Sequence, residues 1–128
     1  EMTSSGLSYL MAIDELYSGE KGVKLTAIAE KTGVTKVSVF RAAKMLEQEG
    51  CIMRDEKNKV RITEHGYQQL EKYRVLTAWL SSHLEKNCKV PREIAERDAV
   101  GAVCAFSQES ITALSSFIEQ ERKRKHDR

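Results

Sequence analysis

The sequence predicts a mainly α-helical fold in two parts: an N-terminal part of three short amphipathic helices and a small β-hairpin, then a C-terminal part of longer helices. Three observations lead there. Apolar residues recur at three- and four-residue intervals over most of the chain. Gly33 sits in the run Thr32-Gly33-Val34-Thr35, where a tight turn between two helices needs a positive φ. Two short alternating stretches, Cys51 to Arg54 and Lys59 to Thr63, flank the polar, turn-prone residues Asp55 to Asn58.

In chain order, Leu10, Ile13, Leu16 and Tyr17 mark one stripe of a first helix from Leu7, ended by Gly19 and Gly22. Leu25, Ile28 and Ala29 mark a second, shorter helix. Thr35 is placed to cap a third, whose buried stripe is Val39, Ala42, Ala43 and Leu46 and which Gly50 stops. The opposite face of that helix carries Lys36, Val37, Phe40, Arg41 and Lys44, with Ser38 beside them. After the hairpin, Thr63-Glu64-His65-Gly66 opens the longest helical pattern, through Tyr67, Leu70, Tyr73, Leu76, Trp79, Leu80 and Leu84. Pro91 suits the first turn of the next helix, which runs roughly to Phe106, and Ser107 can cap a last one through Ile111, Leu114, Phe117 and Ile118. Past Glu121 the charged residues have nothing to bury and are expected to be disordered.

Composition narrows the function. The 128 residues are 41% hydrophobic and 31% charged, enough for a packed core, and a net charge of +2 gives no nucleic-acid signal by itself. Without a leader pattern or an apolar run near the ~20 residues that span a bilayer, the expected location is the cytoplasm, with no membrane partner. Cys51, Cys88 and Cys104 are odd in number and lack a C-x-x-C pair, which argues against a disulfide framework or a zinc knuckle. No nucleophile elbow, phosphate-cradling glycine loop or clustered acid/base pair supports an enzyme.

Helix, helix, glycine turn, helix and hairpin is the winged helix-turn-helix order, in which the third helix enters the major groove of DNA and the hairpin reaches the backbone. Thr35 and Ser38 can exchange hydrogen bonds with base edges, and Arg41 can grip guanine through two of them. Lys36 and Lys44 suit phosphates. Val37 and Phe40 suit the thymine methyl group, although Phe40 could equally pack under the wing. The wing adds Arg54, Lys57, Lys59 and Arg61, diluted by Asp55 and Glu56. The expected division is residues 1–66 for DNA binding, 67–121 for helical dimerisation and 122–128 as a charged tail.

The stretches Tyr9-Leu10, Lys21-Gly22-Val23, Ile28-Ala29-Glu30, Gly33-Val34, Leu46-Glu47-Gln48-Glu49-Gly50 and Ile62-Thr63-Glu64-His65-Gly66 carry a strong resemblance to the diphtheria-toxin-repressor family, which includes the manganese transport regulators. It continues into Leu70, Tyr73-Arg74-Val75-Leu76 and Phe106-Ser107, so it covers most of the chain. The resemblance implies a dimeric repressor on duplex DNA with a palindromic operator, and manganese or iron(II) as cofactor. The apolar stripes of the C-terminal helices exceed what one small helical unit buries alone, which puts Trp79, Leu80, Val103, Leu114 and Phe117 at the dimer contact, with Trp79 and Phe117 as anchors.

The family's metal ligands are mostly replaced. Ser8, Met11, Tyr73, Val100, Val103 and Cys104 stand at the positions where the resemblance would put ligands, leaving Cys104, with Glu96 nearby, as possible remnants. A thiol among valines offers neither the number nor the hardness of donors that manganese prefers. Three readings stay open: a regulator without metal, a softer metal held by Cys104, Cys88, His83 or Glu96, and a thiol that senses oxidants or another ligand. Outside DNA binding, the alternative is a protein-interaction module whose exposed Val37 and Phe40 meet a partner.

Overall fold

Six helices and three short strands make up residues 2–17 and 21–127, the residues described by the computed structural model. The order is α1 (Ser4–Leu16), β1 (Val23–Lys24), α2 (Leu25–Thr32), α3 (Lys36–Gln48), β2 (Ile52–Arg54), β3 (Lys59–Ile62), α4 (Glu64–Lys86), α5 (Arg92–Ala105) and α6 (Gln108–His126). The chain divides into two compact units, one up to Leu70 and one from Glu71.

In the first unit, turn chemistry sets the boundaries. The Thr3 hydroxyl accepts from Gly6 N at 2.9 Å and starts α1 earlier than the apolar stripe alone indicates. The expected stop at Gly19 lies outside the described residues; α1 ends at Leu16, and Tyr17 is already extended. Gly33 closes α2 in the left-handed conformation, with φ 72°, and its N–H donates to Ala29 O. Thr35 then caps α3 by accepting from Ser38 N at 3.2 Å.

The core of this unit is Leu7, Leu10 and Ile13 of α1, Ile28 of α2, Val39 and Leu46 of α3, Ile52 of β2 and Val60 of β3, all but removed from solvent. Helices α1, α2 and α3 pack on one another, and α1 and α3 cover strands of the sheet. The sheet has one strand more than the expected hairpin. Its order is β1-β3-β2, antiparallel throughout, with Val23 opposite Val60, Lys24 opposite Lys59, and Ile52 opposite Ile62. Two residues are too few to show a period of two, so β1 cannot be read from alternation.

Thr63 joins wing to helix. Its hydroxyl donates to Gly50 O and accepts from Gly66 N at 3.0 Å, while its N–H donates to Cys51 O. Gly66 is needed there because a Cβ would stand 2.1 Å from Cys51 O and 2.8 Å from a methyl carbon of Ile62.

The second unit is helical. Its fully buried side chains include Leu76 of α4, Ala95, Ala99 and Val103 of α5, and Ile111 of α6. Ser107 caps α6 by accepting from Ser110 N at 3.2 Å. The expectation of a disordered tail from residue 122 is overturned, since α6 continues to His126. Once a helix is nucleated, each further residue adds a hydrogen bond at little cost, and Glu, Gln, Arg and Lys are good helix formers. The cations Lys123, Arg124 and Lys125 also lie at the negative end of the helix dipole. No helix among the described residues is long and apolar enough to cross a membrane.

Candidate nucleic-acid interface

Helix α3 presents the face that its periodicity predicts. Lys36, Val37, Ser38, Phe40, Arg41 and Lys44 are all exposed, while Val39, Ala43 and Leu46 turn inward. Lys36, Arg41 and Lys44 have no ion-pair partner among the described residues, so their charges are uncompensated. Val37 is 66% exposed and shares a helix face with the exposed Phe40 three residues on. The Thr35 hydroxyl is occupied by the cap and also donates to Ser38 Oγ at 3.0 Å. Ser38 therefore keeps its own O–H to offer outward, and Thr35 has less to give a base edge.

Phe40 is 46% exposed and lines an open cleft of about 470 Å³, whose other walls are Lys24, Leu25 and Thr26 and the wing tip Lys57, Asn58 and Lys59. It faces the wing without being covered by it. Lys24 is opposite Lys59 on adjacent antiparallel strands, a like-charge pair that destabilises a sheet unless an anion sits between the charges. Together with Lys57 they surround the cleft beside α3. The sequence reading missed Lys24, because only the pairing of β1 with β3 brings it to the wing.

The wing cations do not behave alike. Lys57 and Arg61 are exposed and Lys59 half-buried. Arg54 is corrected: its side chain is only 19% exposed, and its Nε lies 3.4 Å from Glu47 Oε1, close enough for ion pairing though not aligned as a hydrogen bond. It ties β2 to the last turn of α3, which leaves it less free to turn outward than Lys57 and Arg61. Asp55 dilutes the wing charge less than its formal charge suggests, because its Oδ1 accepts from Lys57 N at 2.8 Å and Lys59 N at 2.9 Å. The Lys59 N–H above all, then the Lys57 N–H and the Lys59 and Arg61 charges, hold its carboxyl below the ordinary value. Asn58, left-handed with φ 60°, completes the turn by donating to Asp55 O.

The positions that would hold metal do not form a site. Ser8 is exposed and Met11 half-buried. Tyr73 and Val103 are buried, and the Tyr73 hydroxyl accepts from Gln108 Nε2 at 3.5 Å. Among the described residues, no three His, Cys, Asp or Glu side chains group closely enough to hold an ion, so Cys104, Cys88, His83 and Glu96 are not gathered. His83 is instead hydrogen bonded through Nδ1 to Asn87 Nδ2 at 2.8 Å and rests on the Trp79 ring. Valine, tyrosine and methionine do not fit manganese or iron(II) as a donor set. Of the side chains expected at a dimer contact, Val103 is corrected: it is fully buried in the single chain and has no surface to offer.

No family model and no curated protein matches the chain. Solved structures do. The chain is similar to the hypothetical protein SSo2273 from Sulfolobus solfataricus, with a TM-score of 0.69 and 21% identity over 93% of this chain and 91% of that one. It is also similar to IdeR of T. acidophilum, with a TM-score of 0.63 and 21% identity over 84% of this chain, and it spans half of that longer protein. At such identity the likeness is one of fold: a winged helix with its small antiparallel sheet, followed by a helical region.

Proposed function

We propose that the chain is a DNA-binding transcription regulator, a repressor by the resemblance, that inserts α3 into the major groove and sets Lys24, Lys57, Lys59 and Arg61 against neighbouring phosphates. The observation that carries this reading is the like-charge pair of Lys24 and Lys59 beside the uncompensated cations of α3. Cations that outnumber the nearby carboxylates, Asp55 beside Lys59 and Arg61 included, are stabilised by a polyanion, and phosphate spacing along duplex DNA supplies one. Arg41, with Ser38 and the apolar Val37 and Phe40, is the reading set; Lys36 and Lys44 flank it. The fold likeness to IdeR agrees with the family resemblance and supports the same reading.

The regulator acts as a homodimer, so that two copies of α3 meet a palindrome with half-sites about one helical turn apart. Leu80 and Leu114 stay partly exposed in the single chain, as a subunit contact requires. It works without manganese or iron(II), a reading supported by the lack of a grouped donor set for them among the described residues.

The test is selection of duplexes from a random pool, followed by fluorescence anisotropy on the winning site across a salt series. Arg41→Ala is expected to cost roughly 1–3 kcal/mol of discrimination at one base position, whereas Lys24→Ala should weaken all sequences alike and lower the salt slope by about 1. A chelator should change nothing. Equal retention of every duplex at moderate salt, or unaltered binding by an Arg41→Glu, Lys44→Glu double variant, would sink the reading. Retention of a protein partner instead would favour an interaction module built on Val37 and Phe40.

A further inference from the structure

The second unit contains a groove that DNA reading does not use. On α4, Val75, Ala78, Trp79, Ser82 and His83 share one face, and Phe117, Ile118, Glu121, Arg122 and Lys125 share a face of α6. Between the two lies an open groove of about 510 Å³, within the size range of small-molecule sites. Its wall is aromatic. Trp79 and Phe117 meet edge to face with ring centroids 6.3 Å apart, and His83 lies tilted on Trp79 at 4.5 Å. Phe117 is nevertheless 47% exposed, so the aromatic wall is incomplete on its open side.

The rim of the groove is cationic. Arg122 and Lys125 are exposed and have no ion-pair partner among the described residues. Glu121, the carboxylate of the lining, is turned to Arg124, 3.7 Å away and outside the groove. When His83 Nδ1 accepts from Asn87 Nδ2, 2.8 Å away, Nε2 is left as a donor. An aromatic wall under a rim of net positive charge, Arg122 and Lys125 against Glu121, selects a ligand with a flat apolar body and a negative end.

We infer that this groove binds a small aromatic carboxylate, its ring against Trp79 and Phe117 and its carboxylate at Arg122 and Lys125, which makes these two aromatics ligand contacts rather than the dimer contacts expected of them. If the regulator reading above holds, such an acid is the effector in place of a metal; the binding itself does not depend on that reading. Trp79 is the sole tryptophan of the chain, so its fluorescence reports the groove directly.

The experiment is a titration of the full chain with 3-phenylpropionate and, separately, with the uncharged 3-phenylpropanol, followed by Trp79 emission. A saturable change is expected with the acid, with affinity about tenfold lower for the alcohol, the worth of a charge-assisted contact. The Arg122→Gln, Lys125→Gln double variant, exposed and helix-compatible, should lose the same factor with its circular dichroism unchanged; Phe117→Ala should weaken acid and alcohol alike. Equal affinity for acid and alcohol, or full binding by the double variant, would overturn the proposal. So would an emission change that follows protein dilution with no response to the acid, which would assign the groove to a second copy of the chain. Acid binding in a preparation with no affinity for any duplex would uphold the groove and remove the regulator reading.

Discussion

The two units hold their helices in place by different means. In the first unit nearly every boundary has a named chemical device: Thr3, Thr35 and Thr63 as caps, Gly33 and Asn58 in left-handed turns, Gly66 pressed against Cys51 O. The second is built from three long helix segments with fewer such devices: Ser107 caps α6, Lys89, left-handed with φ 62°, closes α4 while its Nζ donates to Lys86 O at 3.0 Å, and small residues, Ala95 and Ala99, fill the centre. Under the proposed DNA-reading role such local rigidity has a use, because a misplaced α3 would lose its contacts with base edges. A unit of helix faces can leave apolar surface open, as at Phe117.

The sharpest way to break this comparison is a pair of glycine substitutions. Gly66→Ala should destabilise the chain by about 3 kcal/mol or more, since the new methyl group meets a backbone carbonyl rather than a flexible side chain. Gly101→Ala, mid-helix in α5 with nothing within 4 Å of the added carbon, should stabilise by roughly 0.5–1 kcal/mol. Urea unfolding of both variants decides it; similar midpoints would show that the first unit is no tighter than the second.

Cap removal comes next in size. Thr35→Ala and Ser107→Ala should each cost about 1 kcal/mol by thermal unfolding. Thr35→Ala alone should also weaken DNA binding, because it loosens the first turn of the reading helix. Equal effects of both on DNA affinity would remove that distinction.

Thiol chemistry separates the units without changing the fold. Cys88 is exposed, whereas Cys51 is buried and its thiol is pushed up, first by burial and then by the Glu49 charge. Iodoacetamide should modify Cys88 within minutes and Cys51 only on unfolding. A raised folded pKa favours the neutral thiol, so this contribution is complete below the ordinary thiol value near 9.0 and is lost as pH rises above it.

The smallest effect belongs to the wing turn. Asp55 has a lowered carboxyl pKa, so its contribution is present above the ordinary value of 3.8 and is lost as pH falls through the lower folded value. Amide shifts of Lys57 and Lys59 followed by NMR below pH 4 should move together; a transition above 3.8 would contradict the two hydrogen bonds to Oδ1.

What could be read from residues alone follows the same division. The α3 face, its Thr35 cap and the Gly33 turn were legible because each depends on spacing within a few residues. Lys24 was not, since its place beside Lys59 arises from a pairing across more than thirty residues. Nor was the withdrawal of Arg54 into its contact with Glu47, which needs the register of β2 against α3. In the second unit, apolar periodicity marked the helices but could not tell Val103, wholly interior, from Phe117, half open. Charge alone suggested that residues past 121 stay disordered, although their helix-forming character carries α6 on.

The contact of Arg54 with Glu47 also bears on redesign. Because Glu47 lies in the last turn of α3 and Arg54 on β2, α3 and the wing are one part, not two exchangeable modules. Grafting a foreign reading face for retargeting is compatible with this scaffold when residues 36–44 alone are replaced and the carboxylate at Glu47 is kept. A graft that runs through the helix end would leave a buried guanidinium nitrogen with no anion and shift the wing along with the specificity it was meant to change.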